Sequence, residues 1–296
     1  MREGGPLSYR GVMTALVTPF RDGEVDYDAI ERLVDRQIDA GVDCLVPCGT
    51  TGEAPTLTDA EHEKILRTVV QRTKGRLPVM AGSGTNNTAT TIRQTRRAAD
   101  LGASAALIVT PYYNRPTQEG LFRHYAAIAE STSLPMVLYN VPARTGVHLT
   151  NDTVVRLRER FSHIVALKDA SGTVDHVTDL LNRCDIKVLC GDDALTLPMM
   201  SVGAVGVISV ISNLVPTLMK SLFEAASRNE SDSAQSRHRK ISDLATGLAR
   251  FGPNPVPIKT AMAVRSMIQE EFRLPLCALD EEGRLGIERL LRRHEI

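Results

Sequence analysis

The sequence carries no excess of charge of either sign. Lys plus Arg and Asp plus Glu are both 35, for a formal net charge of 0, so the balance gives no sign of a nucleic-acid partner or an anionic membrane surface. The five cysteines (Cys44, Cys48, Cys184, Cys190, Cys277) include no C-x-x-C pair. Most of them sit in apolar runs, so reduced, buried thiols are expected rather than a disulfide framework, a metal or a redox site. The opening residues Met-Arg-Glu-Gly-Gly-Pro contain no apolar stretch of signal-peptide length, which leads to the expectation of a cytoplasmic protein. The long uncharged stretch from Ala194 to Met219 is broken by Pro198, Gly203, Gly206, Asn213 and Pro216. It therefore reads as buried helix, strand and turn rather than a membrane span. Nucleotide fingerprints are missing as well. There is no G-x-x-x-x-G-K-[ST], and Gly82-Ser83-Gly84-Thr85-Asn86-Asn87 ends in asparagine where a dinucleotide loop needs its last glycine. The histidines (His62, His124, His148, His163, His176, His238, His294) all fall in expected helices or loops, not at strand ends where a metallohydrolase barrel places its ligands, so no metal or other cofactor is expected.

What is present is a recurring strand and helix. A chain of 296 residues with 43% hydrophobic and 24% charged residues has enough apolar material for either two domains or one large α/β barrel. Eight short aliphatic runs begin near Gly11, Cys44, Leu77, Ala106, Pro135, Ile164, Lys187 and Gly206; they are roughly 20 to 30 residues apart, the size of a strand plus a crossover helix. Between them Ile30, Leu33, Val34 and Ile38 share one helical face, as do Ile65, Leu66, Val69 and Val70, the latter behind a Thr58-x-x-Glu61 capping box. The strand interiors are almost uncharged, as strands covered on both faces must be. An α/β protein with a closed (β/α)8 TIM barrel is expected over residues 1–225, and a C-terminal helical extension over 226–296.

In such a barrel chemistry sits where strands end, and the runs close on Thr18, Gly49-Thr50-Thr51-Gly52-Glu53, Gly82-Ser83-Gly84, Tyr112-Tyr113, Tyr139-Asn140, Lys168-Asp169, Gly191-Asp192-Asp193 and Ile208-Ser209. Lys168 ends an apolar strand, Ile164-Val165-Ala166-Leu167. An amine desolvated at a barrel mouth is a nucleophile toward carbonyl carbons and forms Schiff bases, although a lysine merely paired with Asp169 or Asp192 fits the position equally well. Tyr139 closes the neighbouring strand, where a phenol serves either packing or proton transfer. The Gly49-Thr50-Thr51-Gly52 turn offers backbone N–H groups and hydroxyls that hold a small carboxylate, or is a plain strand-to-helix turn. Arg144 lies on the following loop, placed either for bidentate carboxylate capture or as a solvated surface residue.

Taken together, GTTGE after strand two, PYYNRP after strand four, YNVPARTG after strand five, LKDASG at strand six and GVISV at strand eight, with NPVPIK at 254–259, resemble the 4-hydroxy-tetrahydrodipicolinate synthase (dihydrodipicolinate synthase) family of pyruvate-dependent Schiff-base aldolases, over nearly the whole chain from about Gly11. The resemblance implies condensation of pyruvate with aspartate semialdehyde in the diaminopimelate route to lysine. Lys168 would be the Schiff-base lysine and Tyr139 its proton donor and acceptor. Thr51 would link Tyr139 to Tyr113 of a neighbouring subunit, and Thr50 and Thr51 would hold the pyruvate carboxylate. Arg144 would take the semialdehyde carboxylate, with Gly191 and the Ile208 carbonyl lining the pocket. The family's homotetramer, a dimer of tight dimers, is implied too. Asn86, His62 and Tyr112 match a lysine-binding allosteric site, but Asp59 and Thr90 stand where lysine-sensitive members carry histidine and glutamate, so weak or absent feedback is expected. The rival readings are a sister aldolase acting on another aldehyde (N-acetylneuraminate lyase or keto-deoxy-sugar aldolase type) and a non-catalytic homologue. Arg144 in its NVPxRTG setting argues against the first, and intact Lys168 and Tyr139 argue against the second.

Overall fold

The computed structural model describes residues 8–296; residues 1–7, read above for a leader, lie outside the described residues. Eight parallel strands form the barrel: β1 Gly11–Ala15, β2 Cys44–Val46, β3 Met80–Gly82, β4 Ala105–Val109, β5 Met136–Asn140, β6 Ile164–Asp169, β7 Lys187–Cys190 and β8 Gly206–Ser209. Each pairs with its sequence neighbours and β8 returns to β1. The β2 to β3 seam is closed by the Leu45–Val79 bridge and by the Leu45 N–H, which donates to the Pro78 carbonyl at 3.1 Å. The third run was expected to begin near Leu77, yet the ladder starts later because Pro78 has no N–H to give.

Alternation along the strands divides the core in two. Met13, Ala15, Val46, Met80, Leu107, Val137, Ala166, Leu189 and Ile208 fill the barrel interior. Val12, Leu45, Ile108, Leu138, Leu167, Val188 and Val207 face the helical jacket, which is why the strands read as continuous apolar runs. The jacket consists of α1 Tyr27–Asp39, α2 Asp59–Thr73, α3 Thr88–Asp100, α4 Gln118–Ala129, α5 Asn151–Arg160, α6 Val174–Arg183, α7 Thr196–Ser201 and α8 Pro216–Ser227. The uncharged stretch from Ala194 thus resolves into a short helix, β8 and the start of α8, and among the described residues no helix is long and apolar enough to cross a membrane. The expected capping box is formed: Thr58 Oγ1 accepts from the Glu61 N–H at 3.2 Å and Glu61 Oε2 accepts from the Thr58 N–H at 2.9 Å. Arg273 donates to the same carboxylate at 2.5 Å and, with these bonds, holds the Glu61 carboxyl down to about 2.

Three helices follow: α9 Ser231–Ala249, α10 Val256–Val264 and α11 Glu281–Arg293. α8 spans the expected boundary between 225 and 226, and α10 stops at Val264, two residues before Ser266 takes a left-handed φ of 54°. Cys44, Cys48 and Cys190 are buried as expected, whereas Cys184 is half-buried and Cys277 is exposed, in the irregular segment between α10 and α11.

Candidate active site

The register of β5 against β6 sets the centre of the site. Tyr139 stands opposite Lys168, and Asn140 opposite Asp169. The side-chain period of two then sends Tyr139 and Lys168 inward and their successors outward. Lys168 is buried, with its Nζ 4.1 Å from the centroid of the Tyr139 ring. The carboxylates that were candidate partners for this lysine are occupied elsewhere. Asp169 accepts from His176 Nδ1 at 2.8 Å and from the Ser171 N–H and hydroxyl at 2.9 and 2.6 Å. Burial raises the Asp169 carboxyl, but these bonds outweigh it and leave it below the usual carboxylate range. Asp192 caps a helical turn through the Ala194 N–H at 2.9 Å. Among the described residues Lys168 forms no ion pair, so its buried amine is unencumbered by a carboxylate. Gly191 makes room for it: a Cβ there would lie 3.1 Å from Lys168 Cε and 2.9 Å from the Asp169 carbonyl oxygen.

The turn after β2 is held from below and behind. Its own bonds run from the Gly52 N–H to the Gly49 carbonyl and from the Glu53 N–H to the Thr50 carbonyl, both at 3.1 Å; the N–H groups of Thr50 and Thr51 take no part in them. Gly82 lies so close beneath that a Cβ would fall 2.2 Å from the Cys48 carbonyl oxygen, so only glycine lets β3 pass under the turn. Glu53 adopts a left-handed φ of 54° and points its carboxylate inward, 2.5 Å from Lys259 Nζ, with both side chains fully buried. The Lys259 ammonium also lies 4.4 Å from the Phe20 ring centroid and 4.8 Å from that of Phe272, and the other Glu53 oxygen accepts from the Arg273 N–H at 3.3 Å. Residues of the C-terminal extension therefore anchor the turn that carries Thr50 and Thr51.

Arg144 sits in the helical turn Pro142–Thr145 over the barrel mouth, where it is exposed and donates to the Asn254 backbone carbonyl at 2.8 Å. Asn254 Nδ2 in turn donates to Thr51 Oγ1 at 3.0 Å. A cavity of about 270 Å³ opens above Lys168, lined by Thr50, Thr51, Tyr139, Arg144, Gly191 and Asn254 among others. A second cavity, of about 390 Å³, shares Thr50, Tyr139, Val141 and Arg144 and runs on to His62, Gln94 and Tyr112. His62 Nε2 is 2.7 Å from the Gly82 carbonyl oxygen and burial pushes its pKa down. The Asn86 carbonyl accepts from Asn114 Nδ2 at 2.9 Å nearby, outside the cavity lining.

Two expected residues stand apart within the single chain. Ile208 is fully buried in the barrel interior, and Val210 and Ile211, beyond the same strand, line the cavity in its place. Tyr113 is 90% exposed with a left-handed φ of 72°, and borders neither cavity.

Four contributors escaped the sequence reading of roles: Asn254, Glu53, Lys259 and Asp193. Asp193 is buried, accepts from the Val210 and Ile211 N–H groups at 2.9 and 3.0 Å and so fixes the end of β8; burial raises its pKa. For Lys259 there was a signal, a lone charge inside the apolar run Val256-Pro257-Ile258-Lys259-Thr260-Ala261-Met262, since lysine is almost never fully buried without a partner.

A buried, unpaired amine at the C-terminal mouth of a (β/α)8 barrel, in register with a tyrosine and beneath the Thr50–Thr51 turn and Arg144, defines an enzyme of the lysine-dependent barrel class. The chain belongs to the Dihydrodipicolinate synthetase family, whose sequence profile matches residues 8–294. It is 46% identical over 278 residues to the 4-hydroxy-tetrahydrodipicolinate synthase of Pelobacter propionicus, covering 93% of this chain and 95% of that one. Over 291 residues it is 43% identical to that of Geobacter metallireducens, covering 97% and 99%. The solved dihydrodipicolinate synthase of Aquifex aeolicus superposes with a TM-score of 0.95 at 41% identity, over 97% of this chain and 98% of that one. That of Cyanidioschyzon merolae, solved with lysine bound, superposes with a TM-score of 0.93 at 36% identity, over 97% and 98%.

Proposed function

We propose that this chain condenses pyruvate with L-aspartate 4-semialdehyde to give 4-hydroxy-tetrahydrodipicolinate, in the diaminopimelate route to lysine. The observation that carries this reading is the Tyr139–Lys168 register beneath one small cavity that also collects Thr50, Thr51 and Arg144. Lys168 Nζ attacks the keto carbon of pyruvate, and the carbonyl oxygen leaves as water while the Tyr139 phenol gives and takes back the protons. The imine then draws electrons from the adjacent methyl group, which loses a proton and, as the enamine carbon, bonds to the aldehyde carbon, whose oxygen takes up a proton to become the hydroxyl; the semialdehyde's amine then adds to the re-formed imine carbon and displaces the Lys168 amine, closing the ring. Thr50 and Thr51 hold the pyruvate carboxylate, the free N–H groups of their turn acting as an anion cradle. Gly191, Val210 and Ile211 bound the pocket. Borohydride reduction in the presence of pyruvate tests the first step: a mass increment on Lys168 is expected, and an increment on another residue, or none, overturns it.

Arg144 selects the second substrate in this reading. Its guanidinium already rests on a carbonyl oxygen at the cavity rim, and two charge-assisted hydrogen bonds to a carboxylate are worth enough that Arg144→Ala should lower kcat/KM for aspartate semialdehyde by about 100-fold or more. Pyruvate trapping on Lys168 should persist. Unchanged activity on aspartate semialdehyde would move the assignment to a sister aldolase.

The working unit in this reading is a homotetramer, a dimer of tight dimers, in which the exposed Tyr113 enters the neighbouring subunit's site and completes a hydroxyl relay through Thr51 to Tyr139. An aromatic side chain held in a left-handed backbone and almost wholly exposed is costly unless it is covered.

His62, Tyr112 and Asn86 bracket the region where the family's lysine-sensitive members bind lysine, and the synthase of Cyanidioschyzon merolae was solved with lysine bound. Here the charge pattern is poor for an ammonium. Asp59 is paired with Arg93 at 3.2 Å and Thr90 is uncharged. Half-inhibition is expected only at millimolar lysine or not at all, measured in a coupled assay; micromolar inhibition would refute this.

A further inference from the structure

Asn254 touches both halves of the candidate site and keeps one atom in reserve. Its Nδ2 donates to Thr51 Oγ1 at 3.0 Å and its backbone carbonyl accepts from Arg144 at 2.8 Å. Its remaining polar atom, Oδ1, is buried and has no hydrogen-bond partner among the described residues. Leaving a buried acceptor unsatisfied costs about 1–3 kcal/mol, and at the wall of a cavity holding a nucleophile such an atom marks a place for a ligand's donor.

The second substrate supplies such a donor. Aspartate semialdehyde carries its ammonium and its carboxylate on the same carbon, so a carboxylate seated on Arg144 brings the nitrogen next to whatever adjoins that guanidinium. Asn254 is bonded to it directly. We infer that Asn254 Oδ1 accepts a hydrogen bond from the α-amino group of the semialdehyde, making Asn254 the residue that distinguishes an amino-acid aldehyde from the same chain without the amine. Asp193, which lines the same cavity, also has a buried oxygen, Oδ1, without a partner, but unlike Asn254 it makes no bond to Arg144. Asp193 gives one oxygen to the Val210 and Ile211 N–H groups and is driven toward its neutral form by burial, while Asp192 caps Ala194. A neutral amide also orients an amine without locking it in the charged form, as a carboxylate would.

This inference rests on the proposed binding of the semialdehyde carboxylate by Arg144. Its test compares aspartate semialdehyde as substrate with succinate semialdehyde, which keeps the aldehyde and carboxylate but lacks the amine, as competitor. In Asn254→Ala, kcat/KM for aspartate semialdehyde should fall 10- to 100-fold, mainly through KM, while the inhibition constant of succinate semialdehyde stays within about twofold. Asn254→Asp, which keeps an acceptor, should retain the preference for the amine-bearing aldehyde. Thr51→Val removes the Asn254–Thr51 bond from its other end and should lower turnover without changing the ratio between the two aldehydes. Equal losses for both aldehydes in Asn254→Ala, unchanged kinetics, or discrimination that disappears in Asp193→Asn or Asp192→Asn instead, would each overturn the inference. Borohydride trapping of pyruvate keeps the two readings separate. If the unaltered protein fails to trap, the proposed function falls. If trapping is intact in both proteins and the aldehyde ratio does not move, only the role of Asn254 falls.

Discussion

Lys168→Ala is expected to leave a folded protein at least about 10⁴-fold less active, with no borohydride-trapped pyruvate, because positioning and binding alone recover only a small part of a reaction whose nucleophile is gone. Its effect on stability should be small. Removing one partner of a buried ion pair leaves the other stranded, but the carboxylates near Lys168 are bonded to His176, Ser171 and Ala194 instead. The substitution loses methylene packing against Gly191 and Tyr139 and relieves the burial of an amine, terms of opposite sign of about 1 kcal/mol each. Lys168→Arg should be equally inactive in trapping although it keeps the charge, which separates nucleophilicity from electrostatics. A melting temperature that collapses in Lys168→Ala, or turnover within tenfold of the unaltered enzyme, would contradict this account.

Lys259→Ala should have the opposite profile, a stability loss of about 3–5 kcal/mol in denaturant unfolding, since it leaves the Glu53 carboxylate buried without its counter-charge. The loss should be strongly non-additive. In the double variant Glu53→Gln, Lys259→Met no stranded charge remains, and most of the stability should return. Activity should not return with it, because Glu53 holds a left-handed backbone at the end of the turn bearing Thr50 and Thr51, and the pair is what fixes that conformation. If Lys259→Ala unfolds at the same denaturant concentration as the unaltered protein, the pair contributes nothing to the fold.

The contrast between these two lysines shows what a sequence can disclose. The eight strands were legible because a buried parallel sheet writes itself as uncharged aliphatic runs at crossover spacing, and strand ends then point to Lys168, Tyr139 and Arg144. Only the start of β3 moved by more than one residue, for want of an N–H at Pro78. The contacts that support the site were not legible. Glu53 and Lys259, or Thr51 and Asn254, lie some 200 residues apart, and no periodicity encodes a pairing of that range. Nor did spacing decide whether Lys168 was paired with a carboxylate; it took the outward turn of Asp169 toward His176 to free it. The exposed Tyr113 illustrates a different limit, since the role proposed for it needs a neighbouring subunit, which no spacing within one chain encodes.

The anchoring of the β2 turn by Asn254, Lys259 and Arg273 also orders the birth of the enzyme. During synthesis all eight strands, with Lys168 and Tyr139, leave the ribosome before any of these three residues. A chain interrupted ahead of Pro253 therefore carries Lys168, Tyr139 and all eight strands, yet lacks the three C-terminal contacts that steady the Thr50–Thr51 turn. Trimming of the tail is therefore expected to weaken the site without cutting the barrel.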